Sequence, residues 1–213
     1  MKSVFRKSSM LLTDKIFNNH KDVGENVFMF FTRRSGSTWL TEVFAKDPSV
    51  RAIQDPLLPR NMPRWLVDKY GEDVKFWFCL RKEDGSDLKR YFFDLLSGKV
   101  GSGGAVLPFD RNFNFSTSIN FVKIANAHGL MNWFEKEFDS KIIYLMRHPI
   151  PTALSQIRYP AMEPRTDKYI KNEWVMDTIS TKQKSLAEHV NRSSNKLYKH
   201  VLDWTLENYA PFH

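Results

Sequence analysis

The sequence predicts a three-layer α/β/α fold with a central parallel sheet, and two observations lead to that prediction. Short apolar runs alternate with stretches of helical spacing along much of the chain, as in parallel sheets covered by helices on both faces. A glycine-containing turn follows the first apolar run and opens a helix, which is typical of a phosphate-binding loop after the first strand. The 213 residues, 42% hydrophobic and 26% charged, are enough for a single globular domain.

The predicted elements follow one another in a regular order. The run 27–31 reads as a strand buried on both faces, and a helix begins near Thr38, because Leu40, Val43 and Phe44 recur at helical spacing. We then expect strands at 50–53, 120–125 and 141–146, and helices at 87–96, 130–138, 152–157, 167–190 and 194–209.

Two segments do not fit this alternation. Residues 56–119 are hard to read as strand or helix over most of their length, and we interpret them as an insertion that shapes a substrate site. Residues 1–24 carry five basic and two acidic side chains, which favours a basic N-terminal segment over a transit sequence. The whole chain, 1–213, is therefore expected to be one domain with these two additions.

Composition narrows the functional classes. One cysteine, Cys79, excludes an internal disulfide framework and a zinc site built from cysteines. The longest apolar run, residues 27–31, is far shorter than the roughly 20 residues of a membrane-spanning helix. We therefore expect a cytoplasmic protein without a membrane span. The net charge of +8 favours an anionic partner but does not identify it.

The turn at residues 32–38 (TRRSGST) has the chemistry of an anion site. Backbone N–H groups and the helix dipole attract an anion at a helix start, and Gly36 lets the backbone approach closely. The nucleoside-triphosphate loop G-x-x-x-x-G-K-[ST] is absent here, since the turn has one glycine and no lysine. The strand ending at Met146 delivers Arg147 where a magnesium-binding aspartate would stand. These observations favour an anion bound without a metal.

Two motifs resemble those of the sulfotransferases that use 3′-phosphoadenosine 5′-phosphosulfate (PAPS). Residues 34–39 (RSGSTW) are similar to the family's first loop, K/R-S-G-[ST]-[ST]-W. Residues 141–155 (KIIYLMRHPIPTALS) are similar to its second signature, a strand followed by R-x-P with a serine eight residues after the arginine. The resemblance runs with gaps from about residue 27 to 209. Relative to the family, the chain ends before a further strand and a basic loop.

The resemblance implies an enzyme that moves a sulfuryl group from PAPS to a hydroxyl or amine of a small-molecule or glycan acceptor, releasing 3′-phosphoadenosine 5′-phosphate (PAP). It implies that Arg147 and Ser155 bind the 3′-phosphate and that Trp39 stacks on the adenine. The residues implied to hold the 5′-phosphosulfate are Arg34, Ser35, Gly36, Ser37 and Thr38. No metal is expected, and the acceptor and the oligomeric state stay open.

The general base has several candidates. Residues 47–56 (DPSVRAIQDP) resemble the acidic-residue-before-proline segment of the carbohydrate-type branch, which makes Asp55 the first candidate. In the cytosolic branch the base is a histidine two residues after a lysine; Lys123 matches that lysine, but Ala125 stands at the histidine position and His128 lies nearby. His128 is therefore the second candidate, and Lys123 is a candidate for stabilising the transferring group.

Three other functions remain open from the sequence. A nucleotide kinase or another phosphate-binding enzyme would share the strand–loop–helix unit, but it would need the missing lysine and metal-binding aspartate. Nucleic-acid binding would suit the positive charge, but the cations are scattered and no nucleic-acid motif is present. We therefore expect the protein to bind no nucleic acid. A non-catalytic sulfotransferase relative that only binds nucleotide is the third alternative.

Overall fold

The sheet contains four parallel strands in the part of the chain that the structure, a computed structural model, describes: residues 24–70, 85–100, 117–209 and 211. The strands lie in the order β2-β3-β1-β4. Every pairing between neighbours is parallel, so all four carboxyl ends meet at one edge of the sheet. The strands are β1 (Glu25–Phe31), β2 (Val50–Gln54), β3 (Ile119–Ala125) and β4 (Lys141–Leu145).

Helices connect and follow these strands. The short 3₁₀ turn His128–Leu130 leads directly into α4. None of the helices in the described ranges is both long and apolar enough to cross a membrane. The helices are α1 (Ser37–Phe44), α2 (Arg64–Tyr70), α3 (Gly85–Leu96), α4 (Met131–Phe138), α5 (Pro149–Ile157), α6 (Thr166–Ile170), α7 (Glu173–Asp177), α8 (Thr181–Arg192) and α9 (Lys196–Tyr209).

The sheet buries apolar side chains on both faces, because successive residues of a strand point to opposite sides. Phe28 and Phe30 of β1 pack with Phe134 of α4, with ring centroids 4.5 and 5.6 Å apart. On the other face, Met29 and Phe31 lie in a core that includes residues of α1. This two-sided burial confirms the predicted three-layer α/β/α fold.

The predicted helix at 167–190 is wrong: three short helices, α6, α7 and α8, occupy that stretch. Two side-chain caps begin new helices within this stretch. The side chain of Asn172 accepts a hydrogen bond from the Val175 N–H and starts α7. Ser180 and Gln183 form a capping box that starts α8. Local side-chain caps compete with helix continuation, and hydrophobic spacing alone does not reveal them.

The described part of residues 56–119 packs closely against the sheet. Leu57, Leu66, Leu88 and Phe92 are fully buried in the same core as Phe28. Helix α2 was not predicted, and it places part of this segment beside the carboxyl ends of the strands. The N-terminal segment up to residue 23 lies outside the described residues.

Candidate functional site

A cavity of about 1050 Å³ lies at the carboxyl ends of the strands. Each strand contributes a residue that follows it closely: Arg34 after β1, Asp55 after β2, Asn126 after β3 and Arg147 after β4. Parallel α/β sheets bind their ligands at this edge. The position agrees with the edge at which the sequence places the anion loop.

The turn after β1 has a backbone shape that requires glycine. Gly36 has φ of 98°, although a Cβ atom placed there would meet nothing within 4 Å. The requirement therefore comes from the backbone conformation and not from lack of space. No side chain caps the start of α1. The N–H groups of its first turn are therefore available to an anion bound beside Gly36.

The hydroxyls of the turn also suit an anion. The Ser35 Oγ is buried and has no hydrogen-bond partner among the described residues. A buried hydroxyl without a partner costs free energy, and an anion oxygen would supply the missing hydrogen bond. Ser37 and Thr38 line the cavity directly. Ser37 and Thr38 therefore border the space in which the 5′-phosphosulfate implied by the resemblance would lie, whereas Ser35 does not line it.

The two sequence motifs meet in space. The Nε of Arg34 donates a hydrogen bond of 3.1 Å to the Ser155 Oγ, and Arg147 donates one of 3.3 Å to the Arg34 carbonyl oxygen. The Arg34 guanidinium also lies 5.7 Å from the centre of the Tyr159 ring. Arg34 therefore lies with the residues expected at the 3′-phosphate, although the resemblance assigns it to the 5′-phosphosulfate.

Asp55 is held in an uncommon backbone conformation at the end of β2. Its φ is 47°, a left-handed value that aspartate tolerates better than most residues, and its N–H donates to the Lys123 carbonyl oxygen at 2.7 Å. Burial raises the pKa of its carboxyl group. The positive charges of Lys123 and Arg60 and a hydrogen bond from the Ala125 N–H lower that pKa, but by less than burial raises it. A carboxylate with a raised pKa is a better proton acceptor than an exposed one.

Lys123 lies between the anion loop and Asp55. Its Nζ is 3.8 Å from the Asp55 Oδ2 and 3.4 Å from the Thr38 Oγ1, while the Phe31 ring covers it at 5.1 Å. The side chain is only 6% exposed, so water screens its charge weakly. A cation in this position can stabilise negative charge that develops between the loop and the carboxylate.

Three predicted site residues, Ser35, Trp39 and His128, do not line the cavity. His128 is buried, with its Nδ1 3.4 Å from the Glu207 Oε1, and burial lowers its pKa to about 3. It is therefore neutral at physiological pH and lies behind the cavity wall. Trp39 is 68% exposed on α1 and outside the cavity. The predicted residues that do line it are Arg34, Gly36, Ser37, Thr38, Asp55, Lys123, Arg147 and Ser155.

Sequence reasoning missed the polar face of α9. Asn208 donates a hydrogen bond of 2.9 Å to the Thr32 Oγ1 at the end of β1 and is also hydrogen-bonded to the Tyr144 hydroxyl on β4. The Trp204 Nε1 donates to the Arg147 carbonyl oxygen at 3.0 Å. Helix α9 therefore holds two strand ends together. Polar residues at helical spacing on an otherwise amphipathic helix were the available signal.

A buried carboxyl group on α9, that of Glu207, lies behind the cavity wall. When the Asn126 amide is oriented so that both of its ends are paired, its nitrogen donates to the Glu207 Oε1 at 2.7 Å and its oxygen accepts from the Arg165 Nη1 at 2.6 Å. Burial raises the pKa of Glu207 to about 8, although the charges of Arg33 and Arg165 lower it. The group ties α9 to the residues that follow β1 and β3.

No protein-family profile matches the chain, and no curated protein sequence does so either. Among the described residues, no group of three or more histidine, cysteine or acidic side chains is gathered as metal ligands would be.

Proposed function

We propose that the protein is a sulfotransferase that moves a sulfuryl group from PAPS to a hydroxyl group of an acceptor. The observation that supports this most strongly is the contact among Arg34, Ser155 and Arg147, since the resemblance assigns all three to one nucleotide. Two arginines beside a serine hydroxyl suit a phosphate group, because guanidinium offers paired donors to phosphate oxygens. Under this proposal, they hold the 3′-phosphate that distinguishes PAPS from ATP and ADP.

The turn after β1 is proposed to bind the 5′ end of the nucleotide. Its backbone N–H groups, together with the hydroxyls of Ser35, Ser37 and Thr38, hold the 5′-phosphosulfate. Lys123, beside Thr38, stabilises the charge that builds on the phosphate as the sulfuryl group leaves. Loss of one such electrostatic donor typically costs about 10²–10³ in rate.

Asp55 is the proposed general base, and its Oδ1 supports this role. That oxygen is buried and has no hydrogen-bond partner among the described residues. PAPS supplies a sulfuryl group whose bond to the 5′-phosphate oxygen breaks as the acceptor oxygen bonds to sulfur. Asp55 takes the proton from the acceptor hydroxyl, and the negative charge remains on the phosphate of PAP. The raised pKa of Asp55 suits this transfer.

The first test is a calorimetric titration of the protein with PAP in EDTA, with ADP as the nucleotide that lacks the 3′-phosphate. We expect PAP to bind and ADP to bind at least about tenfold more weakly, since a charge-assisted phosphate contact contributes about 1.5–3 kcal/mol. Arg147→Ala should remove most of that preference, whereas Arg192→Ala, on the exposed surface of α8, should retain it.

The second step separates binding from catalysis. An acceptor screen with ³⁵S-labelled PAPS detects transfer directly. If PAP binds but no acceptor receives the label, the protein would be a sulfotransferase relative that binds the nucleotide without catalysing transfer. Equal affinity for PAP and ADP would contradict the sulfotransferase proposal itself.

A further inference from the structure

The cavity has an apolar wall, which the chain forms directly after Asp55. Its residues are Leu58, Pro59, Met62 and Val67, and all four line the cavity. Leu58, Pro59 and Val67 are only partly buried, so part of their apolar surface borders the open space. Pockets for small ligands are lined mainly by apolar side chains, and exposed apolar surface that is gathered in one place marks a binding site.

Hydrogen bonds hold this wall beside the proposed base. The Asp55 carbonyl oxygen accepts one of 3.1 Å from the Leu58 N–H and one of 2.9 Å from the Asn61 side-chain amide. The first of these closes a turn, so the Cα atoms of Asp55 and Leu58 lie within about 7 Å of each other. The Leu58 carbonyl oxygen accepts a further hydrogen bond of 3.1 Å from the Met62 N–H. Two successive turns therefore connect Asp55 to Met62.

The hydrophobic core supports the wall from behind. Leu57 and Leu66 are almost fully buried in that core. Each is followed in the chain by a residue of the wall, Leu58 or Val67. The wall is therefore preformed, and an apolar ligand would gain contact with it without ordering the chain first.

The cavity lining offers few partners for the many hydroxyls of a glycan. Among the described residues that line the cavity, Asp55 and Asn126 are the only two with a carboxylate or amide side chain. When both ends of the Asn126 amide are paired, its partners are Glu207 and Arg165. Sugar hydroxyls placed against the apolar wall would lose hydrogen bonds to water without replacing them, which costs free energy.

The arginines outside the proposed nucleotide site act on carboxyl groups of the protein itself. These relationships are Arg64 with Asp68 at 2.8 Å, Arg60 with Asp55, and Arg33 and Arg165 with the buried Glu207. The apolar wall is therefore the feature beside Asp55 that can select an acceptor.

We propose that the acceptor is an apolar hydroxyl compound, an alcohol or phenol with a hydrocarbon body, rather than a glycan. Its body lies against Leu58, Pro59, Met62 and Val67, and its hydroxyl reaches Asp55. This inference rests on the sulfotransferase function proposed above and narrows its acceptor. The acceptor oxygen bonds to sulfur as the bond to the 5′-phosphate oxygen breaks, and Asp55 takes the hydroxyl proton. The products are PAP and a sulfate ester of the apolar compound.

The test uses the protein saturated with PAP and three ring alcohols. In myo-inositol every ring carbon carries a hydroxyl, cyclohexanol has the same ring with one hydroxyl, and 2-decalol adds a fused hydrocarbon ring. Affinities are measured by titration in saturation-transfer NMR. We expect 2-decalol to bind at least about tenfold more tightly than cyclohexanol, and myo-inositol to bind most weakly, because each buried methylene adds affinity.

Variants that keep the size of a side chain but make it polar locate the binding surface. Leu58→Asn and Val67→Thr should each weaken 2-decalol binding at least about threefold, with PAP affinity unchanged. Leu58→Met should retain the affinity, which separates loss of apolar surface from loss of fold. Leu186→Asn and Val43→Thr are the matched controls, since both side chains are exposed and lie outside the cavity.

Transfer of label from ³⁵S-PAPS connects the wall with the reaction. The KM for 2-decalol should be lower than that for cyclohexanol, and Leu58→Asn should raise it with little change in kcat. Asp55→Asn should still bind 2-decalol but transfer little label to it.

Several outcomes would overturn this assignment. Binding of myo-inositol as tight as that of 2-decalol would do so, and so would unchanged 2-decalol affinity in both polar variants. Binding of 2-decalol without transfer of label would show that the wall does not hold an acceptor. In these cases PAP binding would still support the nucleotide site. Absence of PAP binding in the wild type would instead remove the sulfotransferase proposal and this inference with it.

Discussion

The Nε of Arg34 donates a 3.1 Å hydrogen bond to the Oγ of Ser155, although 121 residues separate the two in the chain. Arg34 belongs to the turn after β1, and Ser155 lies on α5, after β4. Because β1 and β4 are neighbours in the sheet, their carboxyl ends bring the two segments together. Two motifs that were related only by their order in the sequence thus form one cluster.

Ser155→Ala should weaken PAP binding. The variant removes one hydroxyl from the cluster and frees the Arg34 guanidinium, so we expect a loss of about five- to tenfold, or about 1–1.4 kcal/mol. ADP affinity should change little, since ADP lacks the 3′-phosphate. Calorimetry measures both. Ser185→Ala, at an exposed serine of α8, is the matched control, and an equal loss for PAP and ADP would argue against a 3′-phosphate role.

Asp55→Asn should abolish most transfer without affecting nucleotide binding. Loss of a general base typically lowers kcat by about 10²–10⁴. Because burial raises the pKa of Asp55, wild-type kcat should rise with pH through that raised pKa, and the variant should lack this rise. Asp139→Asn is a close control, since Asp139 is exposed and also has a left-handed backbone, with φ of 43°. A variant with kcat near the wild-type value would exclude Asp55 as the base.

Gly36→Ala should destabilise the anion loop. An alanine at φ of 98° is strained although its Cβ meets no other atom, and such strain costs about 1–3 kcal/mol. Urea unfolding measures the loss, and PAP affinity should fall with it. Gly85→Ala provides the contrast, because its Cβ would lie 3.7 Å from the Trp133 Nε1, an ordinary contact. That control should change stability by less than about 1 kcal/mol in either direction.

Glu207→Gln should change how stability depends on pH. The folded-state pKa of Glu207, about 8, lies above its ordinary value of 4.5. Its contribution to stability is therefore fully present below pH 4.5 and is lost as pH rises to about 8. The glutamine variant keeps a neutral side chain throughout. From pH 5 to 9, the wild type should lose on the order of a few kcal/mol relative to the variant.

Urea unfolding across this pH range tests the prediction, with Glu188→Gln on the exposed surface of α8 as the control. Parallel curves for the wild type and Glu207→Gln would show that the Glu207 carboxyl does not titrate as described. The charged or titratable groups that face Glu207 are Arg33, His128, Tyr144, Arg165, Tyr169 and Asp203. They are retained in the variant, so the difference between the two curves reports the Glu207 carboxyl together with its coupling to Asp203.

The sheet and its helices were predictable because apolar periodicity is a local property of the sequence. Residues 27–31 are apolar throughout, and the strand that contains them is one of the two inner strands of the described sheet. The division of residues 167–190 into three helices was not predictable from periodicity, since it depends on the hydrogen bonds of Asn172 and Ser180. Individual caps of this kind override a hydrophobic pattern.

The site was predictable only where a motif marked it. Arg34, Asp55, Lys123 and Arg147 line one cavity, in agreement with their expected grouping. Arg165 and the polar residues of α9 carry no motif, and their importance arises from where packing brings them. His128 illustrates the reverse case: it follows β3 closely in the sequence, but it is buried behind the cavity wall, and burial keeps it neutral.

The hydrogen bond between Thr32 and Asn208 spans 176 residues. A nascent chain can pair its four strands once Leu145 has been synthesised, but this clamp on the end of β1 forms only after α9 has been made and docked. Such long-range contacts require closure of a large loop, which slows folding. The hydrogen bond that holds the end of β1 therefore cannot form before residues 196–209 have been synthesised.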